Sequence, residues 1–114
     1  MILVLDIDGT LLHTPPVEGG DFEAWEQKVL AGEHAPIAGA AHVVAALVRS
    51  APQTLILTAR SERLRDVTLA SLLAHYPDLR FATLSMRGED DHRPAIQSKI
   101  ARLNAWRGRS THPV

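Results

Sequence analysis

MILVLDIDGT, residues 1–10, decides the fold, because five apolar residues run without interruption into two aspartates at alternate positions. An apolar run without polar alternation is typical of a strand buried on both faces, as in a parallel sheet. Asp6 and Asp8 are two residues apart, so extended backbone directs both carboxylates to the same side. Two carboxylates on one side repel each other unless a cation or a proton intervenes. The pair therefore predicts a site for a hard divalent cation such as Mg²⁺.

Outward from this strand, strands and helices alternate along the chain. The patterns predict further strands at 54–57 and 80–85, and helices at 40–49, at 61–75 with Ser61 as N-cap, and at 94–106 with Pro94 in the first position. Residues 13–36 read as a turn-rich insert with a short helix at 22–30, and 107–114 as a frayed tail. This alternation predicts an α/β domain with a parallel sheet and right-handed crossovers, spanning 1–114 as a single unit.

Composition excludes several classes of protein. The 114 residues include no cysteine, which rules out disulfide scaffolds, zinc fingers and thiol catalysis. No apolar run is long enough to cross a bilayer, so we expect a soluble, cytoplasmic protein without a membrane partner. The net charge of −1 gives no global attraction to nucleic acid, although residues 49–114 carry 11 basic and 6 acidic side chains and so favour an anion.

Polar residues follow each predicted strand. The second predicted strand is followed by Thr58-Ala59-Arg60. The third is followed by Met86-Arg87 and then by a loop that contains both acidic and basic residues. Because ligands of open α/β sheets bind beyond the carboxyl ends of the strands, these residues and the aspartate pair should form one site.

The quoted motifs resemble those of the haloacid dehalogenase (HAD) superfamily of phosphohydrolases. DIDGT, at 6–10, is similar to its first motif, Asp-x-Asp-x-Thr; LILTAR, at 55–60, resembles the second; Lys99 is placed like the lysine of the third. The resemblance implies a HAD-like Rossmannoid three-layer α/β fold. It also implies Mg²⁺-dependent hydrolysis of phosphomonoesters through an aspartyl-phosphate.

The resemblance implies a role for each matching residue. Asp6 would be the nucleophile, Asp8 the acid and base, and Thr58 a hydrogen-bond donor to a phosphoryl oxygen. Lys99 would balance the charge of Asp6, and it also lies within the apolar arc of its helix, where a lysine needs an anionic partner. Mg²⁺ would be held by Asp6 and by the backbone carbonyl of Asp8. Six further positions would bind substrate: Gly9, Thr10, Ala59, Arg60, Arg87 and Arg93.

A narrower resemblance concerns the substrate. TARSE at 58–62, MR at 86–87 and DHRPAIQSK at 91–99 look like the phosphatase domain of bacteriophage and related polynucleotide kinases, which removes 3′-phosphates from nucleic acid ends. Arginine suits phosphate through its rigid fork of donors. Two alternatives stay open: a nucleotide or small-molecule phosphatase, and a truncated, non-catalytic homologue that binds phosphate or a partner.

One element of the superfamily pattern is missing. The resemblance implies a fourth strand and a following acid that completes the metal site, yet nothing strand-like follows Trp106. Asp90 and Asp91 are the loop acids that could substitute. We therefore expect a fold truncated after its third strand and helix, with the first strand at the edge of the sheet. An apolar edge strand predicts self-association or pairing with another chain.

Overall fold

Five strands and four α-helices lie within residues 2–109, the part of the chain that the computed structural model describes. The strands are β1 (Ile2–Leu5), β2 (Leu12–His13), β3 (Ala35–Pro36), β4 (Gln53–Ser61) and β5 (Thr83–Arg87). The α-helices are α1 (Phe22–Leu30), α2 (Ala40–Ser50), α3 (Arg65–His75) and α4 (Ala95–Arg109), and 3₁₀ helices span Glu62–Leu64 and Pro77–Phe81.

The main sheet is parallel, as predicted, with strand order β1-β4-β5. On one face, α2 and α3 cover a core that contains Leu5, Ile56 and Leu72. On the other face, Trp106 of α4 contacts Leu55 and Leu57 of β4. The three-layer α/β architecture is therefore confirmed. Within residues 2–109 no fourth strand joins the sheet, and β1 lies at its edge.

β1 is not buried on both faces, contrary to the prediction. Ile2 and Val4 are each 42% exposed, whereas Leu5 is buried beneath α2. The contacts of α4 explain the difference, because this helix packs on β4 and leaves the corresponding face of the edge strand uncovered.

Two strand boundaries differ from the predictions. β4 extends to Ser61, so 58–60 lie within the strand and not after it, and its pairing with β5 becomes irregular between Leu57 and Ser61. The third strand of the sheet starts at Thr83, because Pro77 begins a 3₁₀ helix that includes Arg80 and Phe81. The longer β4 carries the second motif to the edge of the site.

The insert is closed at its base by a pair of strands too short for any sequence pattern to indicate. β2 and β3 pair antiparallel, with Leu12 opposite Pro36, and α1 lies between them as predicted. The prediction of a frayed tail at 107–114 is wrong for residues 107–109, because these residues continue α4. Residues 110–114 lie outside the described part of the chain.

Candidate active site

The acidic motif occupies a tight turn at the carboxyl end of β1. The carbonyl of Ile7 accepts hydrogen bonds from the backbone N–H groups of Thr10, Leu11 and Leu12, at 3.1, 2.8 and 3.0 Å. Gly9 has a φ of 79°, in the left-handed region where a side chain would be strained. The turn thus fixes the backbone between the two aspartates.

Asp6 forms an ion pair with Lys99, as the apolar arc of the last helix predicted. The Lys99 ammonium donates to Oδ2 of Asp6 at 3.1 Å, and the backbone N–H of Ile7 donates to Oδ1 at 2.8 Å. The Asp6 side chain is 45% exposed. A half-exposed carboxylate at the end of a central motif, with one cation beside it, has the access that a nucleophile requires.

Asp8 is held by Arg60. Nε of Arg60 donates to both carboxylate oxygens of Asp8 at 3.2 Å, and Nη2 donates to Oδ1 at 2.8 Å. Nη1 of Arg60 donates to the hydroxyl of Thr68 on α3 at 2.9 Å. Arg60 is only 2% exposed, and its guanidinium is engaged by these partners inside the protein.

Thr58 joins the same network from β4. It is fully buried, and its hydroxyl accepts from the backbone N–H of Arg60 at 3.0 Å. Its carbonyl accepts from Nη2 of Arg102 at 2.7 Å, while Nη1 of Arg102 donates to the carbonyl of Ser85 at 2.8 Å. Arg102 thereby joins β4 to β5 at Thr58 and Ser85. Burial lowers the pKa of Arg102.

An open cleft of about 780 Å³ lies beside Asp8, between the insert and the loop from β5 to α4. Asp8 and Ala59 line it on one side, and Trp25 of α1 lines it on the insert side. Trp25 donates its indole N–H to the carbonyl of Pro15 at 2.9 Å and packs against the buried cluster of Val29, Leu64 and Met86. Phe22, also in the cleft wall, is 65% exposed. Thr10, in contrast, lines a separate cavity beside α2.

Two arginines at the rim of the cleft are already engaged. Arg93 donates from Nε and Nη2 to the two oxygens of Asp91, both at 2.9 Å, and Asp91 also accepts from Ser98 at 2.6 Å. Hydrogen bonds from Arg93 and Ser98 hold the pKa of Asp91 well below its usual range. Arg87 donates from Nη2 to the carbonyl of Arg93, while its buried Nε has no partner among the described residues.

The comparisons with known proteins identify the family. A family model described as HAD superfamily, subfamily IIIB (acid phosphatase), matches residues 1–109. The chain belongs to this family. No curated protein and no solved structure gives a significant match. The match supports phosphatase activity and offers no support for the narrower resemblance to polynucleotide kinases.

A Mg²⁺ ion fits this HAD phosphatase domain only through a small donor set. The half-exposed carboxylate of Asp6 and the backbone carbonyl of Asp8 are the hard oxygen donors of the motif. Mg²⁺ accepts such a set, because it keeps several waters and often binds through one or two carboxylates and substrate phosphates. Nowhere in 2–109 do three metal-ligating side chains cluster, and Asp91 is committed to Arg93 and Ser98. The residues therefore fit an ion whose remaining ligands would be water and the substrate phosphate.

Four residues that the structure brings to the candidate site were not predicted from sequence as parts of it: Thr68, Ser98, Arg102 and His34. Ser98 and Arg102 lie one turn apart on the face of α4 that carries Lys99, a spacing that could have indicated them. His34 has a lowered pKa, first because of burial and then because of Arg60, and its Nδ1 has no partner in the described part of the chain. No sequence pattern indicates Thr68 or His34.

Across 2–109, no helix is long and apolar enough to cross a membrane.

Proposed function

We propose that the chain is a Mg²⁺-dependent phosphomonoester hydrolase that acts through a phosphorylated Asp6. The observation that carries the proposal is the half-exposed Asp6 carboxylate, 3.1 Å from Lys99, at the end of β1. Phosphoryl transfer depends mainly on positioning and on charge stabilisation, and this arrangement offers both. Mg²⁺ would be held by Asp6 and the carbonyl of Asp8, and would supply positive charge to the phosphoryl oxygens.

The protein's own residues divide the reaction into two displacements. A carboxylate oxygen of Asp6 forms a bond to phosphorus as the bond to the leaving oxygen breaks, and Asp8 gives its proton to that oxygen. Asp8 then takes a proton from water as the water oxygen attacks phosphorus and releases Asp6. Lys99 balances the negative charge on Asp6 and the phosphoryl group. Thr58 would donate its hydroxyl hydrogen to a phosphoryl oxygen.

The cleft supports a leaving group about the size of a nucleotide. Its wall combines aromatic surface from Phe22 and Trp25 with the side chain of Arg87. Aromatic side chains stack on bases of any sequence, and arginine binds phosphate. Phe22 is largely exposed, so its ring is available for such a contact. A nucleoside monophosphate is therefore the first substrate to test, with other small phosphomonoesters beside it.

A polynucleotide 3′-phosphate is the second candidate substrate. The cleft is open, and Arg87 and Arg93 line it, where a neighbouring phosphate of a strand would pass. The pairing of Arg93 with Asp91 weakens this candidate, because the pair must open before Arg93 can bind another anion.

The experiment measures kcat/KM for a nucleoside monophosphate, a 3′-phosphorylated oligonucleotide and an aryl phosphate, with and without Mg²⁺. Hydrolysis that requires Mg²⁺ and is lost in Asp6→Asn supports the proposal. Arg87→Ala and Arg93→Ala should reduce use of the oligonucleotide most if it is the substrate, whereas Arg80→Ala, outside the cleft, is the control. Phosphate binding without turnover would favour the non-catalytic alternative.

A further inference from the structure

Arg60 carries a positive charge into the interior, where an unpaired charge is costly. Its side chain has no solvent exposure, and the carboxylate it pairs with is 31% exposed. A buried charge is tolerated when it is paired and its donors are satisfied. Here the donors go to Asp8 and Thr68. Arg60 lines the cleft, but its guanidinium already donates to Asp8 and Thr68, so its fixed geometry points to a role that it exerts through Asp8.

We propose that Arg60 is a positioning residue that fixes the carboxylate of Asp8 for both proton transfers. The inference rests on the proposed function, in which Asp8 is the acid and base. Three contacts from Nε and Nη2, between 2.8 and 3.2 Å, hold the carboxylate in the planar fork of the guanidinium. A fork of this kind sets orientation as well as distance, which a single ammonium cannot do.

Arg60 is itself held from two other elements. The hydroxyl of Thr68 on α3 accepts from Nη1 at 2.9 Å. The ring of Trp25 on α1 lies 5.8 Å from the guanidinium carbon, within the range of a cation–π contact. The strand, a core helix and the insert thus converge on one guanidinium. These contacts hold the Asp8 carboxylate in place, although the next two residues of its turn, Gly9 and Thr10, are exposed.

This role predicts a selective kinetic defect. Protonation of the leaving oxygen matters most for a poor leaving group such as an alkoxide, and least for a good one such as 4-nitrophenolate. The ratio kcat/KM reports the steps up to formation of the aspartyl-phosphate, so it isolates this proton transfer. Arg60→Lys keeps the charge and removes the fork. It should lower kcat/KM for an alkyl phosphate by about 10²-fold, and that for 4-nitrophenyl phosphate by less than about tenfold.

The test compares both substrates in the wild type, in Asp8→Asn, in Arg60→Lys and in the double variant. Thr68→Val, which removes one contact of Arg60 and keeps the side-chain shape, should show a smaller defect of the same selectivity. If circular dichroism and thermal melting show that Arg60→Lys does not fold, Thr68→Val is used in its place. Arg65→Lys is the matched control, because Arg65 also holds a carboxylate, that of Glu62, through its guanidinium fork but does not line the cleft.

The inference is supported if Arg60→Lys reproduces the selectivity of Asp8→Asn and adds little to it in the double variant. Equal losses of kcat/KM on both substrates, or losses that add fully to those of Asp8→Asn, would refute the positioning role of Arg60 and leave the proposed function standing. If Asp8→Asn itself shows no dependence on the leaving group, the acid role of Asp8 fails and the inference fails with it.

Discussion

Replacement of Lys99 by methionine tests the charge balance of the site. The substitution keeps the length of the side chain and removes the ammonium that lies 3.1 Å from Oδ2 of Asp6. At that distance two unit charges attract by about 5 kcal/mol at an effective dielectric constant of about 20. Because the Asp6 side chain is 45% exposed, solvent screens roughly half of this attraction. Removal of one positive group that stabilises the charge on a transferring phosphoryl group typically costs about 10²-fold in rate, or about 3 kcal/mol.

We accordingly expect Lys99→Met to lower kcat/KM for an aryl phosphate by about 10²-fold and to weaken inhibition by inorganic phosphate. Lys99→Arg, which retains the charge, should recover part of the activity. Lys28→Met removes the other lysine of the chain, which lies on α1, and should change neither quantity. Activity of Lys99→Met within about threefold of the wild type, with unchanged phosphate inhibition, would refute the assigned charge balance.

Three further predictions concern stability, pH and assembly. Leu72→Ala in the buried core should lower the free energy of unfolding by about 2–5 kcal/mol, whereas Leu73→Ala, at an exposed position, should cost much less in the same denaturant titration. The lowered pKa of Asp91 means that its carboxylate stabilises the fold above its ordinary value of 3.8 and loses this effect as the pH falls through the lowered value. The melting temperatures of the wild type and Asp91→Asn should therefore converge in strong acid; a constant difference would contradict the assignment. We also propose that a second copy pairs with the β1 edge, because that copy offers the same strand and the same exposed flanks; sedimentation should show concentration-dependent association that Val4→Lys abolishes.

The sequence predicted the elements with strong periodicity and missed those set by tertiary contacts. The helix at 22–30 and the parallel pairing of β1 with β4 follow from local pattern and apolar runs. The start of β5 was wrong because Phe81, though typical of strands, lies in the 3₁₀ helix that Pro77 begins. The burial of β1 was overestimated. Tertiary packing decides that α4 covers β4 and not β1, and the residues of β1 do not reveal this.

The candidate site shows the same division. The ion pair of Lys99 with Asp6 could be predicted, because a lysine in an apolar arc needs an anion and the motif supplies one. The role of Arg60 could not, because its partners Asp8 and Thr68 lie far apart in sequence and only the fold brings them to one guanidinium. Motif position indicates that an arginine belongs to a site, and burial decides whether it contacts substrate or another side chain.

The central claim is that Asp6 becomes phosphorylated during turnover. Rapid acid quench of the wild type with a saturating aryl phosphate, followed by proteolysis and mass spectrometry, measures this directly. The account predicts a peptide that has gained one phosphoryl group at Asp6, formed at a rate at least as fast as turnover and absent in Asp6→Asn. Turnover without any phosphorylated peptide, or a phosphoryl group located on a different residue, would contradict it.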